Sequence, residues 1–188
     1  MSKLALAVAI ALTTAPAYAE TVSISANVGD QLALPQQYDG RKFSAITINV
    51  DGQLTTTTTL TAGTQHFGGF LGSSLTIHSV FGSDDYRSED MANLFAGETQ
   101  TYTSVLPFRS VFTWMAGTLY GNDLWLDFTV YPLDYEPGNG GDNVVDASIN
   151  DVLSGTVTAT IDLVPEPAAF ALFGLGIGAL ALTRARRF

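Results

Sequence analysis

A chain of 188 residues with a formal net charge of −10 has room for one ordinary domain plus targeting segments. Its acidity makes phosphate backbones poor partners and argues against nucleic-acid binding. The absence of cysteine removes disulfides, thiolate metal sites and cysteine nucleophiles together, so stability must come from the core. Between Glu20 and Val164 the cations are Arg41, Lys42, Arg87 and Arg109; Lys3, Arg184, Arg186 and Arg187 sit at the two ends.

The N-terminus reads MSKLALAVAIALTTAPAYAE. Lys3 supplies a positive start, Leu4 to Leu12 an apolar run too short to span a bilayer, and Ala17-Tyr18-Ala19 a small-x-small cleavage site. This is the pattern of a secretory signal peptide over residues 1–19, with cleavage after Ala19 by signal peptidase and export through the Sec translocon.

The body, residues 20–163, reads as short strands rich in Thr, Val, Ile, Phe and Tyr, bounded by Gly, Asp, Asn and Pro. The expected strands are 22–28, 43–50, 54–61, 75–80, 99–108, 110–119, 124–131, 144–149 and 155–164. Such density predicts an all-β, antiparallel β-sandwich or jelly-roll-like single domain. In ITINVDGQLTTTTTL a hairpin is expected at Val50-Asp51-Gly52, with Ile48 opposite Leu54. The run Thr55 to Thr59 suits a strand, and an O-glycan stretch is the other reading. SEDMANLFAG predicts one short helix: Ser88 is the N-cap, Glu89 and Asp90 occupy the first turn, Met91, Leu94 and Phe95 share a face, and Gly97 is the stop.

A second hairpin is expected in TWMAGTLYGNDLWLDFTVY, turning at Gly121-Asn122. One face then holds Met115, Leu119, Leu124, Leu126, Phe128 and Val130 as core. The other holds Trp114, Tyr120, Asp123, Trp125, Asp127 and Thr129. Aromatic rings beside carboxylates suit a sugar: the rings stack on apolar pyranose faces and the carboxylates accept hydroxyl protons. Trp114, Tyr120, Trp125 and Asp127 are therefore the candidate carbohydrate-binding residues. Packing of the same rings under a helix or loop is the competing reading.

Other chemistry is sparse. His66 and His78 show no metal-ligand spacing, LGSSL around Ser73 and Ser74 lacks a nucleophile elbow, and Asp84, Asp85, Glu89, Asp90, Asp134 and Glu136 read as a solvated acidic surface. No catalytic residue is assigned. The loop EPGNGGDNVVD offers oxygens of the kind calcium takes, with Asp142 and Asp146 as candidate ligands. Its spacing is not that of an EF-hand, and a surface loop is the simpler reading.

The C-terminus, VPEPAAFALFGLGIGALALTRARRF, holds a Pro-Glu-Pro triplet at 165–167, a charge-free apolar run and an arginine cluster. The segment from about 168 to 183 is expected to form a short, marginal transmembrane helix, about 23–24 Å long at ~1.5 Å per residue against a ~30 Å hydrocarbon core. Snorkelling of Arg184, Arg186 and Arg187 completes it and keeps the tail 184–188 cytoplasmic. Triplet, short helix and arginines in this order resemble the PEP-CTERM sorting signal over residues 164–188. The resemblance implies recognition of Pro165, Glu166 and Pro167 by an exosortase, a membrane-embedded enzyme of Gram-negative bacteria. It implies a cytoplasmic-membrane intermediate, then release or attachment at the cell surface, often beside exopolysaccharide. Ala168 and Ala169 depart mildly from the small hydroxyl residues often found after the triplet. The expectation is an exported, non-enzymatic matrix or envelope protein with a structural or polysaccharide-binding role. A secreted carbohydrate-active hydrolase using paired carboxylates is the alternative.

Overall fold

The computed structural model describes residues 19–137 and 144–165. Seven strands are found there: β1 (Glu20–Asn27), β2 (Lys42–Ala62), β3 (Phe67–Ser79), β4 (Gly82–Leu94), β5 (Thr99–Thr118), β6 (Leu126–Pro137) and β7 (Val144–Leu163). They form two antiparallel sheets, β1-β7-β2-β5 and β4-β3-β6. The all-β expectation holds. Among the described residues no α-helix occurs, only 3-10 turns at Gln36–Tyr38 and Gly121–Leu124, and no helix is long and apolar enough to cross a membrane. The signal peptide up to Tyr18 and the expected transmembrane helix lie outside the described residues.

The sheets pack through alternating inward residues, as antiparallel strands with one solvated face require. Ile46, Ile48, Val50 and Leu54 of β2 meet Leu75 and Ile77 of β3, Phe108 and Phe112 of β5, and Val157, Ala159 and Ile161 of β7 in one cluster. A second cluster at the other end gathers Leu60, Ala62, Phe67, Leu71, Ala92 and Leu94. Between them runs a seam of hydroxyls. The Thr56 and Ser73 oxygens, both buried, lie 2.9 Å apart across the two sheets, and Thr56 is 2.5 Å from an Asp151 carboxylate oxygen. Ser73 and Ser88 are 3.5 Å apart, and Ser104 donates to Ser88 at 3.2 Å. A carboxylate only accepts and each hydroxyl has one proton. Ser104 donates to Ser88, Ser88 and Ser73 share a hydrogen bond, and the single Thr56 proton is shared between the Ser73 oxygen and the Asp151 carboxylate.

The expected hairpin at Asp51-Gly52 is absent. These residues sit in the middle of β2, where Gly52 pairs with Phe108 of β5 on one edge and Gly155 of β7 on the other. Glycine is needed here for close approach rather than for a turn. A Cβ on Gly52 would overlap the Ser154 carbonyl oxygen and come within 2.8 Å of the Phe108 ring, and one on Gly155 would overlap the Asp51 carbonyl. Gly155 also has φ +137°, outside the range L residues favour. The inward positions continue with period two straight through Gly52, which a reversal would have broken.

The expected helix at Ser88–Gly97 is also absent. Ser88 to Leu94 belong to β4, with Ala92 and Leu94 buried and Met91 exposed. Helical spacing would have put Met91, Leu94 and Phe95 on one face. Instead β4 pairs with β3 residue by residue from Ser79↔Gly82 to Phe67↔Leu94, and that ladder outweighs the local helix signals.

The second expected hairpin fails for a different reason. β5 pairs with β2, whereas β6 pairs with β3 in the other sheet. Gly121–Leu124 is a 3-10 turn that carries the chain between sheets; within it Asp123 accepts a hydrogen bond from the Tyr120 backbone N–H at 2.7 Å. Leu119, Leu124 and Leu126 are buried as expected, but Met115 is 73% exposed. The alternation changes phase between them. Ala116 takes a left-handed φ of 53°, and the β2–β7 register shifts between Phe43 and Ala45. Even positions of β5 point inward up to Phe112; beyond Ala116 the inward residue is Leu119.

Two substitutions check this core. Gly155→Ala is expected to cost about 2–4 kcal/mol, because both its φ and its space exclude a side chain. Ser73→Ala is expected to cost about 1–3 kcal/mol by leaving Thr56 and Ser88 short of a partner. Denaturant midpoints measure both; an unchanged midpoint for Gly155→Ala would contradict the close crossing of β2 and β7.

Candidate functional site

The outward face of the three-stranded sheet is built by the same alternation that builds the core. With Leu126, Phe128 and Val130 facing the other sheet, Asp127, Thr129 and Tyr131 face solvent. Trp125 precedes β6 in extended conformation, φ −66° and ψ 134°, and continues that outward series. β3 contributes Ser74, Thr76 and His78 on this face, and β4 contributes Ser83, Asp85 and Arg87. The register sets them in rows: Tyr131–Ser74–Arg87, Thr129–Thr76–Asp85 and Asp127–His78–Ser83.

On the central strand Ser74 and Thr76 are small, with His78 at the end of the row. Trp125 is 43% and Tyr131 54% exposed, so each presents ring surface to solvent at the β6 rim. Between these two rings Thr129 donates to Asp127 at 2.9 Å, and across the face Thr76 donates to Asp85 at 2.7 Å. Each of these carboxylates keeps a second oxygen able to accept from a ligand hydroxyl. Arg87 pairs with Glu89 at 2.5 Å on the far rim. Two rings spaced along one strand with acceptors between them is an arrangement that can take a neutral, extended, hydroxylated chain.

Asp85 and Asp127 stand two strands apart, about 10 Å, and one outward position out of line, about 7 Å. Their backbones are therefore separated by about 12 Å. Among the described residues no group of three His, Asp or Glu side chains is placed to hold a metal ion. Asp146 lies on β7, and the other candidate calcium ligand, Asp142, lies outside the described residues. His66 is away from this face, bonded to Asn93 and against the edge of the Phe95 ring.

The four carbohydrate candidates from the sequence are thus divided. Trp125 and Asp127 lie on the outward face of β6, and Tyr120 caps the adjacent 3-10 turn and is exposed. Trp114 does not join them. It lies on β5 in the other sheet, beyond the last inward residue Phe112, is half-exposed, and stacks on Phe81 with centroids 5.3 Å apart. Tyr131, Thr76, His78, Asp85 and Arg87 were not among the candidates. Tyr131 was readable as the next step of the 125, 127, 129 alternation; the others required knowing that β3 lies between β4 and β6.

The sorting residues follow directly on the fold. β7 ends at Leu163, which is buried, and the Val164 N–H donates to the Lys42 carbonyl at 2.9 Å. Pro165 is the last described residue; Glu166, Pro167, Arg184, Arg186 and Arg187 lie outside. The triplet is therefore joined to the sandwich without a linker.

Comparison with known proteins gives one family match, to the PEP-CTERM protein-sorting motif over residues 163–187. No curated protein matches. Among solved structures there is a likeness to infectious bursal disease virus, Gx strain, at 16% identity and a TM-score of 0.24, covering 81% of this chain and 30% of that one. A likeness of that size defines neither a shared fold nor a shared function. The C-terminal match rests on the residues that carry the resemblance in the sequence, and with it the chain is identified as bearing a PEP-CTERM protein-sorting motif at residues 163–187.

Proposed function

We propose that this is an exported protein, processed by exosortase at the membrane and delivered to the cell surface, where its sandwich serves a non-enzymatic role and binds neutral extracellular polysaccharide. The sorting motif supports export and processing. The binding role rests on one observation: Trp125 and Tyr131 flank Asp127 and Thr129 on a sheet face where, among the described residues, both rings are exposed. A sugar chain lying along β6 would stack on both rings and hydrogen-bond to the acids and threonines between them. The hydrolase reading, which needs two carboxyl groups held at a defined separation, has no comparable observation in its favour.

Retention of the full chain on the producer's own exopolysaccharide tests the reading. Trp125→Ala and Tyr131→Ala are each expected to weaken retention about tenfold, the equivalent of one stacking contact of ~1.4 kcal/mol. Trp114→Ala is expected to lower the melting temperature and leave retention intact. Unchanged retention in the Trp125→Ala, Tyr131→Ala double variant would remove the binding face. Release of soluble sugar that stops on Asp127→Asn would replace binding with hydrolysis. For the sorting step, mass spectrometry of mature protein is expected to show loss of the segment after about Pro167, and Glu166→Ala is expected to retain it.

A further inference from the structure

The body begins and finishes at the same end of the sandwich. Glu20, where β1 starts, pairs with Leu163, where β7 stops. The Val164 N–H on the Lys42 carbonyl is the last tie before the triplet. The two apolar segments of the sequence, Leu4 to Leu12 and about 168–183, are therefore both joined to the body at this end. The second is joined through Pro165, Glu166 and Pro167 alone.

This end projects past the point where the chain leaves it. Beyond the Lys42↔Thr118 pair the ladder continues: the Leu119 N–H donates to the Arg41 carbonyl at 2.8 Å and the Gly40 N–H to the Leu119 carbonyl at 2.7 Å. Tyr120 is still extended, φ −127° and ψ 156°, and stands two residues past Thr118, about 7 Å at ~3.3 Å per residue. The turn Gly121–Leu124 and Trp125 follow. The β3–β4 turn lies alongside, because Ser79 pairs with Leu126 and Phe81 stacks on Trp114. On this rim Val80 is 51% and Tyr120 57% exposed, and both tryptophans of the chain are at this end. Its charges are mixed: Glu20 holds Arg41 at 2.6 Å, and Lys42 stands among Asp39, Asp123 and Asp162.

Chain length sets the height of the rim. The four steps from Val164 to Ala168 span at most about 14 Å at ~3.3–3.6 Å each. A headgroup layer is about 5–7 Å deep on each side of a ~30 Å hydrocarbon core. With Ala168 at the hydrocarbon boundary, Val164 stands no farther than about 14 Å from it, and Tyr120, about 7 Å nearer, meets the headgroups. A less extended connection brings the rim closer still. Tyr and Trp suit that depth, where the ring is buried and its polar edge stays hydrated.

We propose that in the uncleaved precursor the rim of Val80, Tyr120 and Trp125 docks on the outer surface of the bilayer, so that the sandwich stands end-on and presents Pro165-Glu166-Pro167 at a fixed height. This rests on the reading of about 168–183 as a membrane segment and of the triplet as the exosortase signal. The mixed charges make the partner a zwitterionic surface entered by rings, not an anionic one bound by cations. The opposite end also exposes an apolar ring, Phe95, but the 21 residues of β2 hold it about 65 Å away. Cleavage after the triplet cuts the tether and frees Trp125 for the sugar-binding face.

The chain has no cysteine, so a single introduced one places a fluorophore at one site. The full chain is reconstituted in phosphatidylcholine vesicles with a nitrobenzoxadiazole label on Gly121→Cys, Thr64→Cys or Leu175→Cys, and spin-labelled lipids serve as quenchers. Gly121 has open space around its Cα, and Thr64 is exposed at the far end. The label at 121 is expected to shift to shorter wavelength and lose emission to a quencher near the headgroups, in high salt as in low. The label at 64 is expected to keep its emission, and the label at 175 to lose it to a quencher deep in the acyl chains. Adding Val80→Glu and Tyr120→Glu is expected to restore emission at 121 with quenching at 175 and the circular dichroism spectrum unchanged. Quenching at 175 without quenching at 121 would overturn the docking and leave the anchor standing; loss at both would remove the two together. The proposal also fails if the double variant is quenched at 121 like its parent, if quenching there requires phosphatidylglycerol, or if it appears only once exosortase is added.

Discussion

The pairing of β2 on both edges is the constraint on which the rest of the molecule depends. A single strand of 21 residues serves as template for β7 on one side and β5 on the other. This requires the chain to run straight through Asp51-Gly52, and it does so because two glycines, Gly52 and Gly155, meet where the strands cross most closely. A side chain at either would push β7 off β2. That would carry away the inward residues Val157, Ala159 and Ile161, which complete the larger core.

The two sheets are held together differently at their middle than at their ends. Apolar clusters fill each end, while Thr56, Ser73, Ser88 and Ser104 connect the sheets through small hydroxyls. Small groups let the sheets approach more closely than the ~10 Å usual between large side chains. A buried hydroxyl that loses its partner costs more than a formed bond gains. The seam therefore opposes slippage of β3 against β2 by one residue, which would strand several hydroxyls at once. By holding β3 at the centre of its sheet, the seam also fixes the register of the outward face, where Thr76 and His78 stand between β4 and β6.

Local signals were reliable where they were repeated along the chain and unreliable where they were confined to a few residues. The alternation through β2, β6 and the second half of β7 was legible, and with it the outward placement of Trp125 and Asp127. Asp51-Gly52 has the composition of a turn, but turn residues act only where the neighbouring strands permit reversal, and here both edges of β2 are occupied. Ser88 to Gly97 carries a cap, acidic first turn and stop, yet pairing with β3 supplied more hydrogen bonds and burial than an isolated short helix offers. Trp114 lies away from the face that a hairpin at Gly121-Asn122 predicts, because the chain there crosses from one sheet to the other. The phase change at Ala116 leaves no mark in the sequence, since its left-handed backbone is set by the strands around it.

The sequence by itself determined the address and the class. The Pro-Glu-Pro triplet, the apolar run and the arginine cluster are read by a processing enzyme as a linear segment, so their order along the chain is all that the family match needs. Strand-rich composition with period-two patterning likewise determined an all-β body, because burial of one strand face is a local requirement. Only the tertiary structure decided which strands are neighbours, that β1 covers less than half of β7, and that the rings of Trp125 and Tyr131 share a face from which Trp114 is excluded. Those are properties of pairing between segments far apart in sequence. The free energy that selects one pairing over another lies in the packed core, not in any single segment.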